Sequence, residues 1–238
     1  MMSNNGSYDV YLTCPSVISS AVAFTTCYAL DTYKTRIQSR KNPKVLIKKS
    51  LDNLYQGYFE GVLMCCIIAC VYFTSLQYLS CHMASHHASM CASFLTTCVK
   101  IPFKSVVKLL QNGNFSSSNV AYTFLLKTYG IKGFFRGFWA YALDDVPETV
   151  LKFYLFSEIQ KIVPKTMLIF VGCIAGSLSS VVTQPLDVLQ TLLICNVSGE
   201  KIDYSKVNYF DGMFLTLLIN SLQSAVFLQV YGTLTAVR

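Results

Sequence analysis

Charged residues are scarce in this chain. Only 13% of its 238 residues are Asp, Glu, Lys or Arg, whereas a soluble domain has roughly 25%. Because apolar residues make up 53%, the composition favours an all-α membrane protein over a soluble domain. Five stretches contain no charged residue, and most reach the roughly 20 residues that a helix needs to cross a bilayer. These stretches cover residues 10–30, 61–81, 82–99, 166–186 and 212–237.

Motifs for metal binding and catalysis are also missing. The ten cysteines include no CxxC pair, and most fall inside apolar stretches, where a free thiol behaves as a small hydrophobe. His82, His86 and His87 stand together but have no carboxylate near them, so we expect no metal site. No nucleophile with a neighbouring base can be identified, so the sequence predicts neither an enzyme nor a cofactor. Nucleic acid is not expected as a partner, since no basic and aromatic surface remains once the apolar stretches lie in lipid.

Positive charge is concentrated in one segment. The formal net charge is +7, and residues 34–49 hold seven of the lysines and arginines. A basic loop beside a membrane usually stays on the inner side or faces anionic lipid head groups. We favour a solvated loop that sets the orientation in the membrane, and direct binding of substrate or of anionic membrane lipids is the alternative.

One short pattern recurs about every 80 residues, which indicates an internal repeat. Each copy has an apolar run, then a proline or an alanine in its place, then a charged residue. The proline positions are Ala29, Pro102 and Pro185. A proline inside a membrane helix is tolerated where neighbouring helices satisfy the carbonyl group that it frees. We predict six transmembrane helices with pseudo-threefold symmetry, as three two-helix repeats at residues 8–81, 82–162 and 163–238.

Two further features keep the same register in all three repeats. Pairs of small residues four apart precede the proline positions, and this spacing lets helices approach closely in lipid. A glycine with aromatic residues before it opens the second helix of each repeat, where it permits a tight turn. The small pairs are Ser16 with Ser20, Ser89 with Ser93, and Gly172 with Gly176. The glycines, called the leading glycines below, are Gly57, Gly137 and Gly212.

The chain resembles the mitochondrial carrier family over nearly its whole length. The resemblance rests on Asp31-Thr32-Tyr33-Lys34-Thr35-Arg36-Ile37-Gln38, on Thr183-Gln184-Pro185-Leu186-Asp187-Val188 and on Gly133-Phe134-Phe135-Arg136-Gly137. The first of these segments, together with Lys100-Ile101-Pro102, is most similar to the S-adenosylmethionine carrier branch. The resemblance implies a multi-pass protein of the mitochondrial inner membrane. Such a protein exchanges a small-molecule substrate through a central cavity that opens to either side in turn.

Gate residues follow from the resemblance, position by position. In the family, an acid on each kinked helix pairs with a base on the next and closes the matrix side. Here the acid positions hold Asp31, Lys104 and Asp187, the base positions hold Lys34, Val107 and Gln190, and the bracing-glutamine positions hold Gln38 and Gln111. Only Asp187 with Lys34 remains as a family-type pair. Lys104 reverses the sign, and we expect it to approach Asp31 or Gln190, with Lys108 as another partner for Asp31.

The gate on the other side has lost most of its charges. The family's aromatic-acid-x-x-base pattern is replaced by Leu76-Gln77 and Tyr231-Gly232, and Phe156-Ser157-Glu158 keeps its acid one residue out of register. An exposed ion pair stabilises the state in which it forms by about 0–1 kcal/mol, and a shielded pair stabilises it by more. We therefore expect both gates to be weak and the barrier between the two states to be low.

The apolar run at residues 138–156 is the most informative about the substrate because it carries charge. Asp144, Glu148 and Lys152 are four apart and share one helical face, with Asp145 beside them. Ionisable groups at membrane depth cost roughly 2.5–3.5 kcal/mol each and normally face a water-filled path. The alternative is a Glu148–Lys152 pair that neutralises itself, with the two aspartates near an interface.

The resemblance also implies substrate contacts on the second helix of each repeat. They fall at Met64, at Asp144 with Asp145, and at Ile219 with Asn220. The basic contacts of many anion carriers are missing there, so we expect an acidic cavity that suits a sulfonium, amine or guanidinium group. A phosphate would need a lysine as partner, because anions require positive donors. The candidates are Lys152, Lys100 and Lys34.

Three functions are consistent with these residues. The first is exchange of an adenine-bearing metabolite, either a nucleotide or a deoxynucleotide, and the second is transport of S-adenosylmethionine. The third is a carrier-like scaffold without transport, which the degraded gates would allow. Short repeats and the excess of Lys over Arg are typical of a compact, AT-rich genome. A carrier encoded by a giant virus would fit these features, and nucleotide supply would be its natural role.

Overall fold

The computed structural model describes residues 7–39, 53–159, 161–164, 167–197 and 201–236, and this part of the chain is all-helical. The basic segment beyond residue 39 lies outside the described residues, so its predicted role in orientation or lipid binding stays a prediction. Seven α-helices are present in the described ranges. They are α1 (Ser7–Gln38), α2 (Tyr58–Ser80), α3 (Ser85–Gln111), α4 (Ser118–Tyr129), α5 (Phe138–Ile159), α6 (Leu168–Cys195) and α7 (Met213–Ala236).

The six long helices form a closed ring. Each packs against two others, in the order α1, α2, α3, α5, α6, α7 and back to α1. The helices that carry the proline positions, α1, α3 and α6, alternate with the other three and also contact one another. Three two-helix repeats would produce this alternation. A common depth for Ala29, Pro102 and Pro185, and with it the pseudo-threefold symmetry, stays a prediction.

The leading glycines explain how the second helix of each repeat starts. Their φ angles are +78°, +77° and +77°, a left-handed conformation that L side chains rarely adopt. Each glycine also lies against a kinked helix of the following repeat, so a side chain would meet that helix. The neighbours are Leu110 on α3 for Gly57, Leu193 on α6 for Gly137, and Lys34 on α1 for Gly212.

Close packing of α6 on α7 depends on the third pair of small residues. A Cβ added at Gly172 would lie 2.5 Å from Leu228 Cδ1, and one added at Gly176 would lie 2.9 Å from Ser224 Oγ. Real Cβ atoms do not approach other atoms so closely, so a larger residue at either position would require the side chain of Leu228 or Ser224 to shift.

Four of the helices are long and apolar enough to cross a membrane: α2, α3, α6 and α7. Helix α5 differs because Asp144, Asp145, Glu148 and Lys152 interrupt its apolar sequence. The outer face of the ring exposes large apolar side chains, such as Phe59, Trp139 and Phe214, each more than 70% exposed. Exposed apolar surface of this kind suits contact with lipid. Membrane spans at α1 and α5 stay predictions.

The short helix α4 caps one end of the ring. Its residues Ala121 and Leu125 are buried against Leu109 and Leu110 of α3 and against Ile194 of α6. This cluster joins the C-terminal parts of two kinked helices. It therefore supports the end of the ring at which the polar contacts described next are found.

Candidate functional site: a charged central cavity

A cavity of about 560 Å³ lies inside the ring and is lined by all six long helices. Small-molecule pockets have volumes of roughly 300–1,000 Å³, so this one can hold a nucleotide-sized solute. The expectation of an acidic cavity is wrong, because lysines from α1, α3 and α5 approach the same space. The charged lining residues are Asp31, Asp144, Asp145, Glu148, Lys34, Lys100, Lys104, Lys108 and Lys152.

At one end of the cavity, polar side chains converge on Asp187 of α6. Lys34 Nζ lies 2.8 Å from Asp187 Oδ2, and both side chains are largely buried. Gln38 donates to the same oxygen at 2.6 Å, and Gln190 donates to the other carboxylate oxygen at 2.9 Å. The structure thus brings together the pair and one bracing glutamine that the sequence predicts here, and their role as a gate stays a prediction.

Polar side chains also join the other two pairs of kinked helices. Between α1 and α3, Gln111 donates to Asp31 Oδ2 at 2.9 Å and accepts from Thr35 at 3.1 Å. Between α3 and α6, Lys108 donates to Thr191. The predicted approach of Lys108 to Asp31 is therefore wrong, because Gln111 occupies that position. The polar layer is the name used below for Asp31, Lys34, Thr35, Gln38, Lys108, Gln111, Asp187, Gln190 and Thr191.

Lys104 is directed to α5 rather than into the polar layer. Its Nζ donates to the Tyr141 hydroxyl at 3.2 Å and lies 4.3 Å from the centre of the Tyr141 ring. The electron-rich face of an aromatic ring attracts a cation, which accounts for this direction. The expectation that Lys104 approaches Asp31 or Gln190 is wrong, and the sequence pattern gave no indication of Tyr141.

The two adjacent aspartates of α5 have different partners. Asp145 lies 2.5 Å from Lys100 Nζ and accepts from Thr97 at 2.8 Å, so α3 neutralises its charge. Asp144 is only 4% exposed and accepts from Gln190 at 2.6 Å. Its other oxygen has no hydrogen-bond partner within the described part of the chain. Because Gln190 also donates to Asp187, Asp144 is coupled directly to the polar layer.

Glu148 lies two turns beyond Tyr141 on α5 and faces α7. Its Oε1 accepts from Asn220 Nδ2 at 3.2 Å. Lys152 lines the same cavity, but the described residues show no ion pair between it and Glu148. The alternative in which these two residues neutralise each other without a direct contact stays a prediction.

The remaining predicted contacts are apolar. Met64 and Ile219 line the cavity but are only 6% and 4% exposed. Their exposed surface can support an apolar group such as an aromatic base, and neither provides a charge or a hydrogen-bonding side chain. Their contact with substrate stays a prediction.

Aromatic rings link the second helices of the repeats toward the other end of the cavity. Phe73 on α2 and Phe227 on α7 stack with centroids 6.2 Å apart and planes within 2° of parallel. Tyr72 stacks on Phe153 of α5 at 5.9 Å, and Phe227 on Tyr231 at 5.8 Å. These five residues are called the aromatic layer. The charge pattern of the sequence did not predict this layer, although Phe73 and Phe153 stand at the same distance from their leading glycines.

Comparisons with known proteins are consistent with this architecture. A family model described as mitochondrial carrier protein matches residues 80–167. S-adenosylmethionine carrier 1, chloroplastic/mitochondrial, of Arabidopsis thaliana is 25% identical over 201 residues, which cover 77% of this chain and 61% of that protein. The probable S-adenosylmethionine carrier 2, chloroplastic, of the same plant is 27% identical, with 76% and 57% covered.

A relative with a different name shows similar coverage. The mitochondrial glycine transporter of Xenopus tropicalis is 26% identical over 198 residues, which cover 68% of this chain and 65% of that protein. The aligned residues span less than two thirds of the length of each of these three relatives.

Proposed function

We propose that this chain, as a member of the mitochondrial carrier family, exchanges an adenine-bearing solute across the mitochondrial inner membrane by alternating access. The polar layer would close one side of the cavity, and the aromatic layer would narrow the other. Relatives with chloroplastic names make a plastid envelope the alternative location. Fractionation of cells that express the tagged protein distinguishes the two membranes.

Among adenine-bearing solutes, S-adenosylmethionine is the one that the cavity favours. The observation that carries this choice is Glu148, a carboxylate in the cavity wall that accepts a hydrogen bond from the neutral amide of Asn220. A sulfonium or amine group of the solute can supply the missing positive charge through a charge-assisted contact. Two relatives are named as S-adenosylmethionine carriers, which supports the same choice.

A nucleotide or deoxynucleotide is the second candidate, and the lysines favour it. Lys104 and Lys152 line the cavity, and neither has a carboxylate partner among the described residues. Two such charges could bind a phosphate group, since phosphates require positive donors.

Uptake into liposomes tests the proposal. Purified protein is reconstituted, the vesicles are loaded with unlabelled solute or left empty, and entry of labelled S-adenosylmethionine, ATP and dATP is followed. Uptake that depends on internal solute supports an exchanger, and the preferred label identifies the solute class. If the folded protein moves none of the three, the scaffold function replaces the exchanger.

A further inference from the structure

The charges of the cavity wall do not cancel locally. Lys34 is paired with Asp187 and Lys100 with Asp145, at 2.8 and 2.5 Å. Lys104 stands one helical turn from Lys100 and contacts the same tyrosine, yet no carboxylate lies within ion-pair distance of it in the described ranges. Lys104 therefore presents a positive charge without an acidic partner to the cavity, as Lys108 and Lys152 also do in the described ranges.

Tyr141 fixes that charge in place. The ring face and the hydroxyl both contact Lys104, at 4.3 and 3.2 Å, and the hydroxyl is also 3.4 Å from Asp145. A lysine ammonium has three N–H donors, and the tyrosine oxygen accepts only one of them. The remaining donors are available to a ligand in the cavity that Lys104 lines.

The repeat makes this arrangement specific to one position. Asp31 and Asp187 occupy the equivalent sites of the other two repeats, and both accept hydrogen bonds inside the polar layer. Of the three side chains, only that of Lys104 is positively charged, and it donates a hydrogen bond to Tyr141 on α5. Its side chain therefore contributes to the cavity wall rather than to the contacts between kinked helices.

We propose that Lys104, held by Tyr141, is a specificity-determining residue that binds the anionic group of the transported solute, a carboxylate or a phosphate. This inference rests on the proposed exchange function and adds the group that the site recognises. Tyr141, which contacts Lys104, and Glu148 are seven residues apart on α5, or about 10 Å along the helix at 1.5 Å per residue. The solute class is thus one that carries a positive and a negative group together.

Paired probes that differ only in the anionic group test this assignment. S-adenosylmethionine is compared with its decarboxylated form, and AMP is compared with adenosine. Binding is measured by thermal stabilisation of the detergent-solubilised protein, and exchange is measured in liposomes. The variants are Lys104→Gln, Lys104→Arg and, as the matched control, Lys127→Gln, which removes an exposed lysine of α4.

We expect Lys104→Gln to weaken binding of the preferred anionic probe about tenfold or more, the usual loss of one charge-assisted hydrogen bond. The matched probe without the anion should change by less than about twofold in the same variant, and Lys104→Arg should retain most of the preference. A loss confined to S-adenosylmethionine identifies a carboxylate, and a loss confined to AMP identifies a phosphate.

Three results would overturn the assignment. Equal weakening of both members of a pair would show that Lys104 acts on structure alone. Recovery of binding in Lys104→Gln combined with Asp144→Asn would show that Lys104 only balances Asp144. An absence of stabilisation of the parent by either anionic probe would remove the site. Stabilisation without exchange would instead reject the exchanger and leave the anion site in place.

Discussion

The two ends of the cavity carry different physical interactions. The polar layer uses one ion pair and directional amide contacts, whereas the aromatic layer uses stacked rings without a formal charge. Gly172, near the aromatic end, and Asp187 are separated by fifteen residues of α6, or about 22 Å at 1.5 Å per residue. A buried ion pair that loses one partner costs about 3–5 kcal/mol, but an aromatic pair contributes only about 0.5–1.5 kcal/mol beyond its area.

This difference indicates how an exchanger with few gate charges could work. The polar end requires matched partners, so it would open only when a solute or another group compensates Asp187 and Lys34. The aromatic end would open by sliding or rotation of rings. The free-energy cost of that opening would be smaller and would not depend on a particular charged partner. The two ends therefore predict unequal sensitivity to substitution, and the following variants measure it.

Reversal of charge at the polar end should have the largest effect. Asp187→Lys places two lysines together in a largely buried site, removes the acceptor of Gln38 and leaves Gln190 with only Asp144 as acceptor. We expect destabilisation by about 3–5 kcal/mol and loss of exchange, because an uncompensated buried charge is costly. The measurements are thermal unfolding in detergent and liposome uptake.

The reciprocal swap is the control for that experiment. Asp187→Lys combined with Lys34→Asp restores opposite charges at the same two positions and should retain more exchange than either single variant. Equal loss in all three proteins would contradict a direct role for the pair.

Glu148 lies between the two layers, and its substitution should have an effect of intermediate size. The effect should be on uptake of the solute rather than on stability of the fold. Glu148→Gln removes the charge but keeps an amide that can contact Asn220. Uptake of S-adenosylmethionine should weaken by about 1–3 kcal/mol, the loss of one charge-assisted contact, because the sulfonium or amine loses its partner. Nucleotide uptake should stay equal or improve, because repulsion of phosphate is removed.

A collapse of nucleotide uptake in Glu148→Gln would show that the sign of this argument is wrong. The double change Asp144→Asn with Asp145→Asn is a less direct test, because these carboxylates already have protein partners in Gln190, Lys100 and Thr97. Its effect on a cationic solute should therefore include a structural cost that Glu148→Gln avoids.

Repeats and charges in the sequence are sufficient to predict much of this site. Asp187 and Lys34 were identifiable because each stands at a fixed distance from the proline position of its own repeat. The direction in which the Lys104 side chain points was not identifiable. The pattern gives the position and the charge of this residue but cannot show that Tyr141 on α5 is its partner. The alternation of helices in the ring likewise follows from the repeats, while membrane spans are supported for only four helices.

The aromatic layer could not be identified for a different reason. Phenylalanine and tyrosine are frequent throughout the apolar stretches of this chain, so their presence at one level carries no signal by itself. Only the packing of α2 against rings from both α5 and α7 separates Phe73 and Tyr72 from residues that face lipid.

The aromatic end should give the smallest effect. Phe73→Leu keeps an apolar side chain of similar size but removes the parallel stack with Phe227. We expect a loss of about 0.5–1.5 kcal/mol in thermal stability, the usual contribution of an aromatic pair. Because the stacked contact is weaker in this variant, the aromatic end should open more easily. Exchange should therefore become faster or less dependent on internal solute rather than cease. Phe59→Leu is the matched control, since Phe59 is on the same helix but 75% exposed. If Phe73→Leu abolishes exchange as completely as Asp187→Lys while Phe59→Leu does not, the two ends are equally strict and the contrast drawn between them is wrong.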